Sequence, residues 1–283
     1  AAIAVCLAFL LYLAHVLSGL RAARMETAGT GASTGTLGLV MGSRTATFGR
    51  YGSILGWLGF AFLTAWLVFR TIATGHGPFA NMYEFSVAFA WGILGVYYWF
   101  ERGYQQRVLG LLVLPIALGM MLYAATIPAT IEPLVPALQN NLLLTVHVAV
   151  AIVSYGAFAI AFGAALLFLL QPAGPRWGLP KPAVLDEIGY KAVVIGFPFM
   201  AAVLVLGALW ADVAWGRYWG WDPKETASLV TWLIYATYLH ARVVRGWTGR
   251  RAAILLLIGF AATLFTYFGN YFFSGLHSYG GLG

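Results

Sequence analysis

The chain has 283 residues, 61% of them hydrophobic and 9% charged, and its 16 Lys and Arg against 9 Asp and Glu leave a formal charge of +7. With a mean hydropathy of +0.82, it cannot be a water-soluble domain with a polar exterior, and the class that remains is an integral membrane protein. In a soluble chain the positive balance would point to nucleic acid; here it is first a topology signal, and no basic run remains that needs a nucleic-acid partner.

Apolar runs of about the length that crosses a bilayer as a helix read at 1–20, 51–69, 82–100, 108–127, 142–170, 192–215, 226–244 and 252–273. The expected fold is therefore all-α, with about eight transmembrane helices. The first run has no basic leader and no clear cleavage site, so it reads as a retained helix. The fifth exceeds one bilayer thickness and implies tilt or extension into water. Thirteen of the sixteen basic residues, from Arg21 to Arg251, fall at one set of helix ends, and only Arg70, Arg217 and Lys224 at the other. The positive-inside bias puts both termini and the loops 70–81, 128–141, 216–225 and 274–283 outside the cytoplasm.

Two units are expected: residues 1–50, a first transmembrane helix with a flexible cytoplasmic linker, and residues 51–283, a seven-helix membrane domain. The linker, 21–50, has TAGTGASTGT at its centre, a composition without the apolar pattern of a folded domain. The loop at 128–141 carries Pro128, Pro133 and Pro136 and suits a short interfacial helix. The loop at 215–225 reads WGRYWGWDPKE, three of the chain's 11 tryptophans within seven residues. Cys6 is the single cysteine, so thiol chemistry has to come from a partner.

Interfacial tryptophan is ordinary in membrane proteins, but a belt spreads its residues over many helices, whereas Trp215, Trp219 and Trp221 share one loop with Asp222 and Glu225. Two readings stay open: a platform for a flat aromatic ligand, or a belt residue cluster beside an Asp-Pro cap of the seventh helix. The histidines fall at two depths. His147 opens helix five and His277 follows helix eight, at the outer level; His15 and His240 lie near the inner ends of helices one and seven. Two facing imidazoles are the axial set of a low-spin haem, and a lone intramembrane histidine serves equally as a hydrogen-bonded structural residue. His76 has no partner in the pattern and reads as structural.

The stretch from Trp215 to Arg242, WGRYWGWDPKETASLVTWLIYATYLHAR, resembles the tryptophan-rich signature of the haem-handling proteins of cytochrome c maturation. GHGPFANMYEF from Gly75, with Phe85 where that pattern has Ser, HVAVAIVSYGAF from His147 and SGLHSYG from Ser274 are similar to motifs of the CcsA or ResC type, the system II cytochrome c synthase branch. These motifs cover 75–280, and residues 1–50 carry none.

The resemblance implies that the chain takes haem b from the cytoplasmic side of the cytoplasmic or thylakoid membrane. It then presents the haem at the outer face and supports thioether attachment to a Cys-x-x-Cys-His motif of apocytochrome c, as a haem lyase with a CcsB or ResB-type membrane subunit and a thioredoxin-like thiol reductant. It makes His147 and His277 the outer axial ligands and His240 an inner one; His15 is added on depth alone. The tryptophan loop would cover the macrocycle, with Asp222 and Glu225 positioning the loop or meeting the haem edge. Arg217 and Lys224 are propionate partners or solvated loop charges. Competing readings are haem delivery to a carrier protein, a b-type cytochrome moving electrons between two bis-histidine haems, and a transporter without haem.

Overall fold

The computed structural model describes residues 1–27, 34–131, 138–139, 141–171, 179–269, 272–273 and 275–277. Within them the apolar runs become α1 (Ala2–Thr27), α2 (Thr34–Thr74), α3 (Met82–Tyr104), α4 (Gly110–Ala124), α5 (Asn141–Leu170), α6 (Pro182–Trp215), α7 (Pro223–Val244) and α8 (Arg250–Phe268). Helix is the outcome because, in hydrocarbon, each backbone N–H and C=O must find its partner within its own segment. Six of the eight, all except α3 and α7, are long and apolar enough to cross a membrane. The protein is an all-α integral membrane protein. α3 carries Glu84, Glu101 and Arg102 near its ends, and α7 carries Lys224, Glu225 and Arg242, which lowers their mean hydropathy.

The helices run farther than the apolar stretches. Of the segment read as a linker, residues 21–27 lie in α1 and 34–50 in α2. Once an apolar stretch has nucleated a helix, each added residue gains one hydrogen bond for one residue ordered, so Gly and Thr are carried along despite poor propensity. The segment expected to form a helix around Pro133 and Pro136 lies outside the described residues. α6 starts at Pro182, and its 34 residues span about 51 Å at the helical rise, well beyond the hydrocarbon core. The excess brings Asp186 against α7, where Oδ2 pairs with Arg242 at 2.5 Å while Oδ1 accepts from the Gly249 N–H at 3.0 Å. One carboxylate thus ties α6, α7 and the start of α8 together.

α5 is the centre of the bundle and touches α3, α4, α6 and α8; α1 lies on α2 and α4, and α7 packs against α6 and α8. Hydroxyls join these helices where apolar packing alone gives little direction. Ser154 on α5 donates to the Gly196 carbonyl of α6 (3.0 Å), Thr231 pairs with Thr266 between α7 and α8 (2.9 Å), and Ser86 pairs with Tyr267 between α3 and α8 (3.0 Å). Glu101, buried near the end of α3, accepts from Tyr12 of α1 and Ser53 of α2 and lies 3.7 Å from Arg107. The alternating helices gather the N-terminal turns of α3, α5 and α7 and the C-terminal turns of α6 and α8 at one end.

Candidate functional site

α6 stops at Trp215 because Gly216 turns left-handed (φ 69°) and its N–H closes on the Asp212 carbonyl at 2.8 Å. α7 starts at Pro223 behind Asp222. Asp222 Oδ1 accepts from the Lys224 N–H (2.9 Å), and Glu225 Oε2 accepts from Asp222 N–H (3.2 Å) and Gly220 N–H (2.8 Å). Asp-Pro-x-Glu is therefore a capping box with proline at the first helical position. The loop is drawn tight over the end of α7, and Trp221 absorbs the turn with φ 56°, a backbone state that costs a bulky residue on the order of 1–3 kcal/mol.

The capping carboxylate has a second task. Its Oδ1 accepts from His277 Nδ1 at 2.8 Å, and its Oδ2 accepts from the Leu276 N–H at 2.6 Å. Gly275 lies so close that any Cβ there would overlap Oδ2. The chain after α8 is thereby pinned to the start of α7, and the neutral His277 ring carries its proton on Nδ1, which leaves the Nε2 lone pair as the ligating one. Trp215 meets this imidazole edge-on at 4.8 Å and 76°, and Trp210 lies tilted against it at 5.7 Å. Burial pushes the His277 pKa below its ordinary value; Asp222 opposes that shift and the Lys224 charge adds to it. Burial alone would raise Asp222, but hydrogen bonds from His277 and from the Lys224 and Leu276 N–H groups hold it at about 2.

His147 and His277 line one cavity of about 950 Å³, mouth included, between α3, α5, α6, α7 and α8. Its walls are mostly apolar and aromatic: Phe85, Phe89, Tyr155, Trp210, Trp219 and Tyr267. The His147 ring packs over Gly207 of α6, where a Cβ would stand 3.0 Å from Cε1. His147 Nδ1 and Trp219 Nε1 are buried with no hydrogen-bond partner among the described residues, which is costly unless a ligand or water meets them. Lys224 and Glu225 also line the cavity, and burial pulls the Lys224 pKa down to about 8 against the opposing pull of Asp222. A planar apolar ligand with a coordinating centre and an anionic edge suits this donor set.

The structure thus brings together His147, His277, Trp219, Lys224 and Glu225, with Trp215 and Asp222 against the back of His277. Arg217 and Trp221 are exposed, Trp221 at 69%, and neither lines the cavity. Arg217 folds back over Gly220. The two inner histidines are not brought together. His15 on α1 makes a 2.6 Å hydrogen bond from Nδ1 to the Thr45 carbonyl of α2, in a pocket with Arg107. His240 is exposed on α7, which packs on α6 and α8. Trp210, Tyr155 and Phe89 escaped the sequence reading because an aromatic residue inside a long apolar run carries no one-dimensional mark of facing a cavity.

The GHGPFANMYEF segment works as scaffold. Asn81 caps α3 by accepting from the Glu84 N–H (3.0 Å), and Glu84, 1% exposed, accepts from Arg70 Nε (2.7 Å) and the Ala80 N–H (2.8 Å). Arg70 spends its other nitrogens on the Ala129 and Thr130 carbonyls. His76 turns its Nδ1 onto the Gly77 carbonyl at 2.8 Å, and Phe85, where the resembling pattern has Ser, faces the cavity.

A model of the cytochrome C assembly protein family matches residues 79–277, from the loop before α3 to His277 itself. The chain belongs to that family. Among its relatives, the cytochrome c biogenesis protein CcsA of Synechocystis sp. is 36% identical, with 77% of this chain and 84% of the relative aligned. CcsA of Gloeobacter violaceus is 36% identical over 78% of this chain and 83% of its own length. CcsA of Chlamydomonas reinhardtii is 36% identical over 94% and 77%. The family match spans every residue of the cavity and leaves out the whole of α1 and α2.

Proposed function

We propose that this family member acts in cytochrome c biogenesis by taking haem b from the cytoplasmic side, holding it between His147 and His277 at the outer face, and supporting its thioether attachment to the Cys-x-x-Cys-His motif of apocytochrome c. The observation that carries the reading is a single cavity lined by both imidazoles, with Asp222 behind one ring and tryptophans around it. A carboxylate on the distal nitrogen of a ligating histidine fixes the ring and strengthens the other nitrogen as a donor. Two axial imidazoles leave no position on the iron for oxygen while the vinyl groups wait. Each cysteine then adds its S–H across a vinyl C=C, and the histidine of the incoming motif replaces one imidazole, coupling attachment to release.

The outer assignment of the cavity rests on the positive-inside bias of the sequence, which assigns thirteen of the sixteen basic residues to the opposite set of helix ends. Haem entering there meets His240, one turn or less from Arg242. His15, on α1 packed against α2 and α4, is not brought to His240, on α7 packed against α6 and α8, so the second imidazole for an inner haem comes from outside this chain, and the CcsB or ResB-type subunit is the natural source. With Cys6 its single cysteine, the chain relies on a thioredoxin-like partner to keep the apocytochrome thiols reduced. An electron-transfer cytochrome with two internal bis-histidine haems fits less well, because α1 and α7 carry His15 and His240 on separate parts of the bundle.

The test is the visible spectrum of the purified chain. A low-spin b-type spectrum is expected. His147→Ala and His277→Ala should each lose haem or turn high-spin and recover low-spin character with added imidazole. Wild-type spectra from both variants would remove this pair as the ligand set.

A further inference from the structure

Lys224 stands in the cavity wall one residue past the proline that opens α7. Among the described residues its ammonium enters no ion pair and no hydrogen bond. The two carboxylates beside it in the chain do not serve it. Asp222 is taken up by His277, Leu276 and the Lys224 backbone, and Glu225 by the N–H groups of Gly220 and Asp222. Phe85, Phe89, Leu144 and Val148 make much of the rest of the wall apolar. An ammonium held in such a wall is costly until an anion arrives. The other candidate cation of the loop, Arg217, is exposed and lies over Gly220.

We infer that Lys224 receives a carboxylate of the planar ligand, so that the cavity selects a ligand with an ionised acidic edge and seats that edge at the first turn of α7. The inference rests on the haem reading above and adds an orientation to it. Haem carries both propionates on one half of its rim and both vinyl groups on the other. With a propionate on Lys224, the vinyl half points away from α7, and the side of the cavity that the apocytochrome thiols must reach is set by one lysine. A charge-assisted hydrogen bond of this kind is worth about tenfold or more in affinity.

The experiment titrates the chain, in neutral detergent, with haem and with haem dimethyl ester, whose propionates carry no charge. Wild type should bind haem at least about tenfold more tightly than the ester. Lys224→Met should bind both alike, at the level of the ester, and keep a low-spin spectrum because the imidazoles are untouched. Lys224→Arg should restore discrimination, and Arg217→Met should retain it. Equal binding of haem and ester by wild type, both low-spin, overturns the role of Lys224 and leaves the haem reading standing; wild type that binds neither overturns both. Added phosphatidylglycerol should not displace haem, and displacement that Lys224→Met abolishes would make a lipid headgroup the occupant instead.

Discussion

His277 donates from Nδ1 to Asp222 Oδ1 across 2.8 Å, and the same carboxylate caps α7. Helix start and candidate ligand therefore share one residue. Asp222→Ala removes the cap, the hold on Leu276 and the partner of His277 together. A lost cap alone costs about 1 kcal/mol, and the orphaned N–H groups about as much again. Asp222→Asn keeps a good cap but loses the charge, so it should unfold within about 1 kcal/mol of wild type while still binding haem more weakly. Thermal unfolding and haem content, measured on both variants, separate the two tasks.

Acid should act on that same carboxylate. Folding depresses its pKa from an ordinary 3.8 to about 2. Its contribution to stability is complete above the unfolded value and is lost as pH falls through 3.8 towards 2. His277 is also depressed and adds in the same direction, beginning as pH falls below its unfolded value of 6.5. The melting temperature in detergent should therefore fall between pH 6.5 and 3, and Asp222→Asn should flatten the lower part of that curve. A flat wild-type profile would contradict the arrangement.

Gly207 gives His147 its place, since a Cβ there would stand 3.0 Å from Cε1. Gly207→Val should push the ring aside at an overpacking cost of about 1–3 kcal/mol. Haem content should drop as it does in His147→Ala, and imidazole should restore less of it because the valine fills the space the added ligand needs.

Arg70 and Glu84 form an ion pair with side chains 11% and 1% exposed. Removing one partner leaves the other charge stranded, so Glu84→Ala should cost about 3 kcal/mol or more, while replacing both by apolar residues should cost less than the sum. A double-mutant cycle on melting temperature reads the difference, and haem spectra of whatever folds should stay low-spin, since neither residue lines the cavity.

The inner histidines should behave differently from each other. His15→Ala removes the bond to the Thr45 carbonyl and should cost about 1 kcal/mol with haem content unchanged. His240 is exposed, so His240→Ala should leave stability intact yet starve the outer cavity of haem in cells if haem enters there. Normal filling of the cavity in that variant would rule the route out.

Run length and charge alone determined the membrane class and the helices, because the cost of an unsatisfied backbone in hydrocarbon acts on each segment separately. Asp222 and Glu225 were legible as a cap for the same reason: a capping box is local, and four consecutive residues contain all of it. The place of each histidine along its span was legible too, since it follows from the position in the run. Which histidines meet was not. His147 and His277 share a cavity because α5 packs against α8 and Asp222 pulls the chain after α8 back over α7. His15 and His240 fall near corresponding ends of their apolar runs but sit on helices with different neighbours. Depth is one coordinate and contact needs three, so neighbours across the bundle are decided only when the helices pack. The same holds for Lys224 and Arg217, seven residues apart in one basic and aromatic loop. The first turn of α7 carries one into the cavity wall, and the turn after α6 leaves the other in solvent.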